Sequence, residues 1–431
     1  MNNDQLQVSV NQQEALDYHA KNRPGKISVI PTKPLVTQHD LSLAYTPGVA
    51  VPCLAIKDDP NCAYDYTTKG NLVAVISNGT AVLGLGKIGA LASKPVMEGK
   101  AALFKRFADI DAVDIEVDTS DPDTFINVVR YLGPSWGGIN LEDIASPACF
   151  LIEEKLKEIM DIPVFHDDQH GTAIVVLAAL INAAHVTGRD FTKMTVVLNG
   201  AGSAGIACIE LMKRYGLPKD NIIALDSLGV VYEGRTERMH PWKARCAVKT
   251  EARTMADALM GKDVFIGLST KDALPPELLR SMAPDPIVFA LANPSPEILP
   301  ETAKQIRSDV LIATGRSDYP NQVNNLLGFP YIFRGALDVR ASVINDSMKL
   351  AAVEAIVHLA REVISEEVFA AYQGHKMQYG REYIMPSIFD PRLIFTIPPA
   401  VAKAAMESGV ARKPIKDLSA YKESLKKSLK I

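Results

Sequence analysis

The stretch TVVLNGAGSAGIACIELMKRYGLPKDNIIALD, residues 195–226, decides the fold class. It contains an apolar strand that ends at Gly200, a helix that begins directly after a Gly-x-Gly-x-x-Gly turn, and a second strand that ends at Asp226. This order is the fingerprint of a dinucleotide-binding βαβ unit. Gly200 would allow the tight turn, Gly202 would let the backbone approach a pyrophosphate, and Gly205 would let the helix pack closely on the strand.

The same fingerprint predicts a dinucleotide cofactor, NADP or NAD. The helix begins near Ser203 and Ala204, and free N–H groups at a helix N-terminus bind anions such as a pyrophosphate. Asp226 stands where a carboxylate accepts hydrogen bonds from the ribose hydroxyls. The alternative is a glycine turn in a sheet that binds no cofactor.

Apolar runs of strand length flank this unit on both sides. Because continuous apolar strands separated by helices are typical of parallel sheets covered on both faces, we expect an α/β protein. A length of 431 residues indicates two or three domains. Outside the fingerprint, the predicted strands lie at residues 72–77, 81–86, 112–117, 137–143, 162–168, 263–269, 287–294 and 310–315.

Charge and cysteine content argue against several classes of function. The net charge is −4 and the pI is about 6.1, so nothing predicts binding to nucleic acid or to an anionic membrane. The five cysteines are scattered without a C-x-x-C, which predicts a reducing compartment and argues against a disulfide framework or a structural zinc. The N-terminus lacks the pattern of a signal peptide, and the longest apolar run, 173–184, is shorter than a membrane span. We therefore expect a soluble cytoplasmic protein.

Acidic residues follow two successive predicted strands. Glu142 and Asp143 end one strand, Asp168 ends the next, and Ser146 and Pro147 fit the N-cap and first position of the helix between them. If the strands are parallel, their carboxyl ends meet at one edge of the sheet, where ligands bind. Three converging carboxylates with only oxygen ligands suit Mg²⁺ or Mn²⁺. Helix-capping acids or a solvated acidic rim are the alternatives.

One lysine lies on the apolar face of a predicted helix. Lys100 shares a helical stripe with Val96, Leu103, Phe104 and Phe107. It either extends to the surface or is buried with a carboxylate partner. Burial would lower the pKa of this lysine and make it a usable general base.

A second Gly-x-Gly-x-x-Gly occurs at Gly84, Gly86 and Gly89. Pro95 is expected to delay the next helix, so that no helix N-terminus lies directly behind this turn. We therefore predict a tight, closely packed loop near the substrate rather than a second phosphate site.

Together these segments resemble the malic enzyme family, over about residues 31–399. The motifs that carry the resemblance occur in the family's order and are specific. They are SLAYTPGVA (42–50), VLGLGKIGA (82–90), PVMEGKAAL (95–103), NLEDIASPACF (140–150), FHDDQHGTA (165–173), NGAGSAG (199–205), LANPSPE (291–297) and NQVNNLLGFPYIFRGAL (321–337).

The resemblance implies metal-dependent oxidative decarboxylation of L-malate to pyruvate and CO₂, with reduction of NADP or NAD. It is strongest to the bacterial NADP-type enzymes, whose long members carry a phosphotransacetylase-like C-terminal domain. The 431 residues contain no such domain, so a short form and a cut sequence are both open. Family members form homodimers or larger assemblies. The alternatives are a metal-independent amino-acid or 2-hydroxyacid dehydrogenase and a non-catalytic nucleotide-sensing subunit.

The resemblance also implies a domain organisation. We expect an N-terminal α/β substrate domain, a Rossmann-like domain with a doubly wound parallel sheet, and a short helical C-terminal tail. The expected ranges are a polar helical arm over 1–30, the substrate and catalytic domain over 31–161, the NAD(P)-binding domain over 162–398 and the tail over 399–431.

Carried over residue by residue, the resemblance implies roles for individual side chains. Tyr45 would be the general acid, Lys100 the general base and Asp167 its neighbour, with Glu142, Asp143 and Asp168 as metal ligands. Asn293, Asn324 and Asn325 would line the substrate and the nicotinamide. Arg235 or Lys243 would bind the 2′-phosphate of NADP. Many family members have an arginine that binds a substrate carboxylate where this chain has Ala81, which leaves that role to Lys69 or to the asparagines.

Overall fold

The computed structural model describes residues 11–82, 84–364, 369 and 378–428. Strands in these ranges form two sheets that confirm the predicted α/β class. The first sheet has the order β2-β1-β3-β4 and is entirely parallel, with β1 at Leu72–Ser77, β2 at Asp111–Glu116, β3 at Gly138–Leu141 and β4 at Val164–His166.

The second sheet has the doubly wound order expected of a Rossmann-like domain. Its order is β10-β9-β8-β5-β6-β7, and only the short edge strand β7 is antiparallel. The strands are β5 at Val196–Asn199, β6 at Ile222–Asp226, β7 at Gly229–Val230, β8 at Val264–Gly267, β9 at Ile287–Ala290 and β10 at Leu311–Thr314.

Helices cover both sheets and connect their strands. Before and around the first sheet lie α1 (Gln12–Ala20), α2 (Gln38–Ala44), α3 (Ala50–Asp58), α4 (Ala63–Tyr66), α5 (Ala90–Ala108), α6 (Pro122–Leu132) and α7 (Ala148–Ile159). The remaining helices are α8 (Thr172–Val186), α9 (Ser203–Tyr215), α10 (Pro241–Ala244), α11 (Met255–Leu259), α12 (Pro276–Ser281), α13 (Pro300–Ile306), α14 (Phe329–Asp338), α15 (Asp346–Arg361), α16 (Leu393–Glu407) and α17 (Leu418–Ser428).

Helix α8 is the centre of the core. Ala173–Ala184 is buried throughout, and the helix packs against α9 and α15. A helix that is apolar all round is expected only where every face is covered. By length and composition the helical stretch Asp167–Val186 could cross a membrane, but 72% of its most apolar 18-residue window is buried within the fold, as in a core helix.

The structure differs from the expected domain ranges at two places. Strand β4 lies after the expected boundary at residue 161, yet it pairs with β3 of the first sheet through Ile139 and Val164. Helix α16 runs through the expected boundary at 398/399, with Pro398 and Pro399 inside it. The expected boundaries were placed where the sequence composition changes. The structure shows that strand pairing assigns β4 to the first sheet and that the apolar residues of α16 form one continuous buried helix across the second boundary.

The second glycine motif was predicted wrongly in two respects. Helix α5 begins at Ala90, directly after Gly89, and contains Pro95 rather than being delayed by it. The single backbone hydrogen bond that a proline removes near a helix start is small against nineteen helical residues. Residues 81–86 were predicted as a strand, but Val82 and Gly86 instead close a tight turn through one bridge. Leu83 of that range lies outside the described residues.

Two helix predictions at the N-terminal side need smaller changes. The helix expected from Pro147 begins one residue later, at Ala148, and Pro147 serves as its N-cap residue without a side-chain hydrogen bond. The expected helical arm over 1–30 is helical at Gln12–Ala20 and irregular to residue 30, while residues 1–10 lie outside the described part of the chain.

Candidate active site

A cleft of about 670 Å³ lies where the two sheets face each other. The first domain lines it with side chains that follow β3 and β4 and with one side chain from α5. The second domain lines it with the fingerprint turn and with loops that follow β9 and β10. The predicted site residues that line it are Lys100, Glu142, Asp143, Asp168, Ser203, Ala204, Asn293, Asn324 and Asn325.

The parallel register of β3 and β4 brings the acidic residues together. Leu141 pairs with His166, so the residues that follow each strand leave the sheet at the same edge. Glu142, Asp143 and Asp168 each offer a carboxylate oxygen, and these three oxygens lie within 4.8 Å of one another. The backbone N–H of Asp143 donates to Oδ2 of Asp168 at 2.8 Å, which joins the two strand ends directly.

Burial and mutual repulsion disturb the titration of these carboxylates. Burial, together with the charges of Asp168 and Glu142, raises the pKa of Asp143 to about 9. Burial also raises the pKa of Glu142 and of Asp168, although the charge of Lys100 opposes both shifts. Three carboxylates in this arrangement therefore favour a cation among them.

The donor set fits a divalent cation that prefers oxygen. One carboxylate oxygen of Asp143, Oδ2, is buried and has no hydrogen-bond partner, which is costly unless a ligand compensates it. Glu142 and Asp143 are buried and Asp168 is half-buried, so one side of the group remains open to the cleft. Oxygen ligands with an open side suit Mg²⁺ or Mn²⁺ and suit zinc poorly.

Lys100 is buried beside carboxylates, which was one of the two arrangements that the sequence allowed; the other was extension to the surface. Its Nζ contacts Asp167 and lies 2.9 Å from Oε1 of Glu142 and 4.1 Å from the centre of the Phe329 ring. The side-chain amide of Asn325 donates to Oδ2 of Asp167, which is also the oxygen that Lys100 Nζ contacts. The expected lowering of the lysine pKa is wrong for this arrangement: burial does lower it, but the charges of Asp167 and Glu142 outweigh burial and raise the pKa overall.

A glycine keeps Asp167 in place. Residues Asp167–Gly171 form one π-helical turn between β4 and α8, and π-helical turns are frequent at functional sites. A Cβ atom on Gly171 would lie 1.8 Å from Oδ1 of Asp167. The carboxylate can therefore turn back towards Lys100 only because residue 171 has no side chain.

The fingerprint turn has the geometry that its predicted roles require. Gly200 has a φ of 120°, and a Cβ there would lie 2.3 Å from the carbonyl oxygen of Leu268. A Cβ on Gly205 would lie 2.1 Å from the carbonyl oxygen of Gly200, so helix and strand are in direct backbone contact. A Cβ on Gly202 would meet nothing within 4 Å. That open space, at the N-terminus of α9, is where a pyrophosphate would approach.

Asp226 is already paired with the two cations predicted to bind a phosphate. The Arg235 guanidinium donates to both of its oxygens, at 2.9 and 2.7 Å, and Lys243 Nζ lies 2.8 Å from Oδ2. These hydrogen bonds lower the pKa of Asp226 although burial opposes them. Since two cations surround one carboxylate, the end of β6 carries a net positive charge.

The predicted general acid and the lysine predicted to bind a substrate carboxylate do not line the cleft. Tyr45 is the C-cap of α2 and is 70% exposed. Lys69 donates to the carbonyl oxygens of Pro134 and Trp136, at 3.0 and 2.6 Å, and lies beside the Tyr64 ring. Within one chain the structure does not bring either of them to Lys100.

Several supporting residues were missed by the sequence reasoning. Asn140 donates to Oε2 of Glu142 at 2.7 Å, and Thr80 accepts from the backbone N–H of Ala145 at 2.9 Å. Asn140 had a detectable signal, because a polar residue two positions before Glu142 in an apolar strand shares its face. The Phe329 ring under Lys100 had no such signal, since it comes from a distant helix.

The cleft thus places the glycine turn of a Rossmann-like sheet close to a buried lysine and a cluster of three carboxylates. Two family models match the chain, one for the malic enzyme N-terminal domain over residues 24–157 and one for the malic enzyme NAD binding domain over residues 169–371. The chain belongs to the malic enzyme family.

Similar proteins cover nearly the whole length of the chain. It is 64% identical over 422 residues to an NADP-dependent malic enzyme of Rhizobium meliloti, covering 98% of this chain and 56% of the relative. It is 56% identical to an NADP-dependent malic enzyme of Halomonas elongata, and the match covers 93% of this chain and 95% of the relative. The crystal structure of malic enzyme from Pyrococcus horikoshii Ot3 superposes with a TM-score of 0.87 at 44% identity, covering 96% of this chain and 95% of that one. The chain spans about half the length of the first curated relatives it matches.

Proposed function

We propose that the chain oxidises and decarboxylates L-malate to pyruvate and CO₂ and reduces NADP to NADPH. The observation that carries this proposal is the position of Lys100, which is buried between Asp167 and Glu142 in the same cleft as the carboxylate cluster and the fingerprint turn. The names of the similar proteins support the same substrate and cofactor.

Lys100 is the proposed general base for the C2 hydroxyl proton of malate. To accept a proton it must first lose one, and the negative charges of Asp167 and Glu142 oppose that loss. Neutralising Glu142, Asp143 and Asp168 would remove part of this attraction and lower the lysine pKa towards a usable range. The carboxylate cluster therefore serves the base as well as the metal.

The absent groups would supply the remaining chemistry. NADP bound at the fingerprint turn would supply the hydride acceptor, and a divalent cation held by Glu142, Asp143 and Asp168 would supply Lewis-acid chemistry. Asn293, Asn324 and Asn325 line the cleft where the substrate carboxylates and the nicotinamide would lie. Ala81 also lines it and cannot bind a carboxylate through its side chain, so the proposal assigns that role to the asparagines rather than to Lys69.

The proposed general acid, Tyr45, comes from a second copy of the chain. None of the residues of α1, α2, α3 or α4 is buried, so this region has no core of its own. Its exposed apolar side chains form a surface that a partner would cover. We propose a homodimer, or a larger homo-oligomer built on it, through Val29, Ile30, Leu35, Val36, Leu41, Leu43, Val51 and Leu54.

The cofactor preference follows from the charge at the end of β6. A lone Asp226 would repel a 2′-phosphate, but Arg235 and Lys243 neutralise it and leave one positive charge in excess. We therefore propose NADP over NAD. The proposal also places the chain in the cytoplasm, where the five free cysteines of the structure would stay reduced.

The test is a spectrophotometric assay of malate with NADP or NAD, with and without Mn²⁺, on the purified chain and on Asp168→Asn. We expect NADPH formation that requires Mn²⁺ and that Asp168→Asn abolishes, with NADP affinity nearly unchanged. Full activity in the presence of a strong chelator would instead identify a metal-independent dehydrogenase. NADP binding without turnover of any dicarboxylate would identify a nucleotide-sensing protein.

A further inference from the structure

A group of five buried or half-buried charged side chains contacts the π-helical turn, and four of the five line a pocket other than the cleft. We call this group the Glu153 cluster, and it consists of Glu153 and Lys157 of α7, His170 of the π-helical turn, and Asp346 and Lys349 of α15. Glu153 and Lys349 are buried. The proposed reaction uses none of these five side chains.

Glu153 binds the π-helical turn at both of its ends. One carboxylate oxygen, Oε1, accepts from the backbone N–H of His166 at 3.3 Å, and the carboxylate lies 2.9 Å from Nε2 of His170. Lys157 lies 2.6 Å from the same carboxylate and balances its charge. Asp167 and Asp168 stand between the two attachment points.

The hydrogen bonds also determine the tautomer of His170. Lys349 Nζ lies 3.3 Å from Nδ1 of His170 and 3.1 Å from Oδ1 of Asp346. The shortest contact of the ring joins Nε2 to the Glu153 carboxylate, at 2.9 Å, whereas Lys157 Nζ lies 3.5 Å from the same nitrogen. Because an ionised carboxylate can only accept, this contact places the ring proton on Nε2 and leaves Nδ1 to accept from Lys349. His170 therefore donates to Glu153, and α7, the π-helical turn and α15 are joined in one continuous network.

We propose that Glu153 is a positioning residue, which acts through the backbone of His166 and the ring of His170 to hold Asp167 and Asp168 in place. This inference rests on the proposed function, because those two carboxylates are the proposed partner of the base and the proposed metal ligand. Side chains that orient metal ligands commonly change metal affinity by about 10- to 100-fold when they are removed.

The experiment compares Glu153→Ala and His170→Ala with Glu158→Ala. Glu158 lies on the same helix as Glu153, is exposed and pairs only with Lys155 among its described contacts. His170→Ala removes one attachment point while leaving the Glu153–Lys157 ion pair intact, so it remains informative if Glu153→Ala fails to fold. Two quantities are measured on each folded variant: Mn²⁺ affinity by electron paramagnetic resonance, and hydrogen exchange of the peptide that covers residues 164–172.

We expect Glu153→Ala and His170→Ala to bind Mn²⁺ about 10-fold or more weakly, to exchange faster over residues 164–172 and to lose kcat. Glu158→Ala should match the wild type. Folded variants of Glu153 and His170 that keep wild-type Mn²⁺ affinity, even with a lower melting temperature, would overturn the inference. A wild-type chain that binds Mn²⁺ but does not oxidise malate would overturn only the proposed function, because the Mn²⁺ affinities and exchange rates still test the positioning role.

Discussion

At the scale of single residues, Gly171 leaves the space that the Asp167 carboxylate occupies beside Lys100. A Cβ there would collide with Asp167, so Gly171→Ala must displace the carboxylate that contacts Lys100. We expect kcat/KM for malate to fall by about 100-fold, the effect of a displacement near 1 Å at a reacting group. Gly328→Ala is the control, because its Cβ would make an ordinary contact of 3.4 Å. Wild-type activity in Gly171→Ala would show that the position of Asp167 does not matter.

Cofactor choice is also decided by single residues. Lys243→Ala and Arg235→Ala each remove a cation from the end of β6 and leave Asp226 less neutralised. The ratio of kcat/KM for NADP to that for NAD should fall about 10-fold or more, since a hydrogen bond to a charged group contributes about 1.5–3 kcal/mol. Lys249→Ala, an exposed lysine in the same segment, should leave the ratio unchanged. An unaltered ratio in both test variants would contradict the NADP assignment.

Much of the candidate site was predictable at this scale. Glu142, Asp143 and Asp168 follow two strands whose parallel pairing could be inferred from their apolar runs, so their convergence needed only strand direction. The direction of the Lys100 pKa shift was not predictable, because it depends on the distances to Asp167 and Glu142 rather than on burial alone. The attachment of Asp226 to Arg235 and Lys243 depends likewise on how the segment after β6 folds back.

At the scale of elements, strand β2 carries a pair of acids that makes stability depend on pH. Asp114 and Glu116 share one face of the strand, and Lys94 of α5 lies between them, 2.5 Å from Asp114 and 3.7 Å from Glu116. Burial, together with the neighbouring Asp114, raises the pKa of Glu116 to about 7. Protonated Glu116 therefore favours the folded state, and this contribution is lost as the pH rises through about 7.

Glu116→Gln tests that pH dependence. The neutral side chain should raise the melting temperature over the wild type by about 2 °C at pH 8 and by much less at pH 5, where Glu116 is already protonated in the folded chain. Asp118→Asn removes an exposed carboxylate at the end of the same strand and should give no pH-dependent difference. Equal effects of Glu116→Gln at both pH values would rule out titration of Glu116 near neutrality.

Strands were easier to predict than turns. Nine strands of the two sheets fall on the predicted runs. Eight of these strands are buried along nearly all of their length, whereas β2 is mostly half-buried. The error at residues 81–86 has a conformational cause: Gly84 and Gly86 have φ values of 74° and 75°, which bend the chain back on itself where an extended strand was expected. The two-residue β7 is too short to leave a pattern in the sequence.

At the scale of the whole molecule, the sequence could not say which chain supplies which part of a site. The domain order and the cleft between the sheets follow from the pattern of strands, but the position of β4 in the first sheet follows only from its pairing with β3. The chain whose site Tyr45 would serve could not be predicted either, because in a single chain the Tyr45 side chain is 70% exposed and does not contact Lys100. Contacts between copies leave no trace in the periodicity of a single sequence.

A shared site predicts complementation between two inactive variants. Tyr45→Phe removes the proposed acid and Lys100→Ala removes the proposed base, so each homodimer should lose malate turnover. In a mixed dimer, one of the two sites would combine Tyr45 from one chain with Lys100 from the other. It should therefore recover activity, up to about one quarter of the wild-type rate if the chains exchange at random and every recovered site works at the wild-type rate.

The measurement follows NADPH formation after the two variants are unfolded together, refolded and checked for mixed dimers by tagged copurification. A third variant, Leu43→Asp, places a charge on the exposed apolar surface beside Tyr45. This variant should contain a larger fraction of monomers, measured by sedimentation. Turnover should fall in the same proportion as the dimer fraction, because a monomer has Lys100 but no Tyr45 from a partner. Mixed dimers that stay inactive would place the acid and the base in one chain. A fully active Leu43→Asp monomer would return Tyr45 to the role of an exposed loop residue.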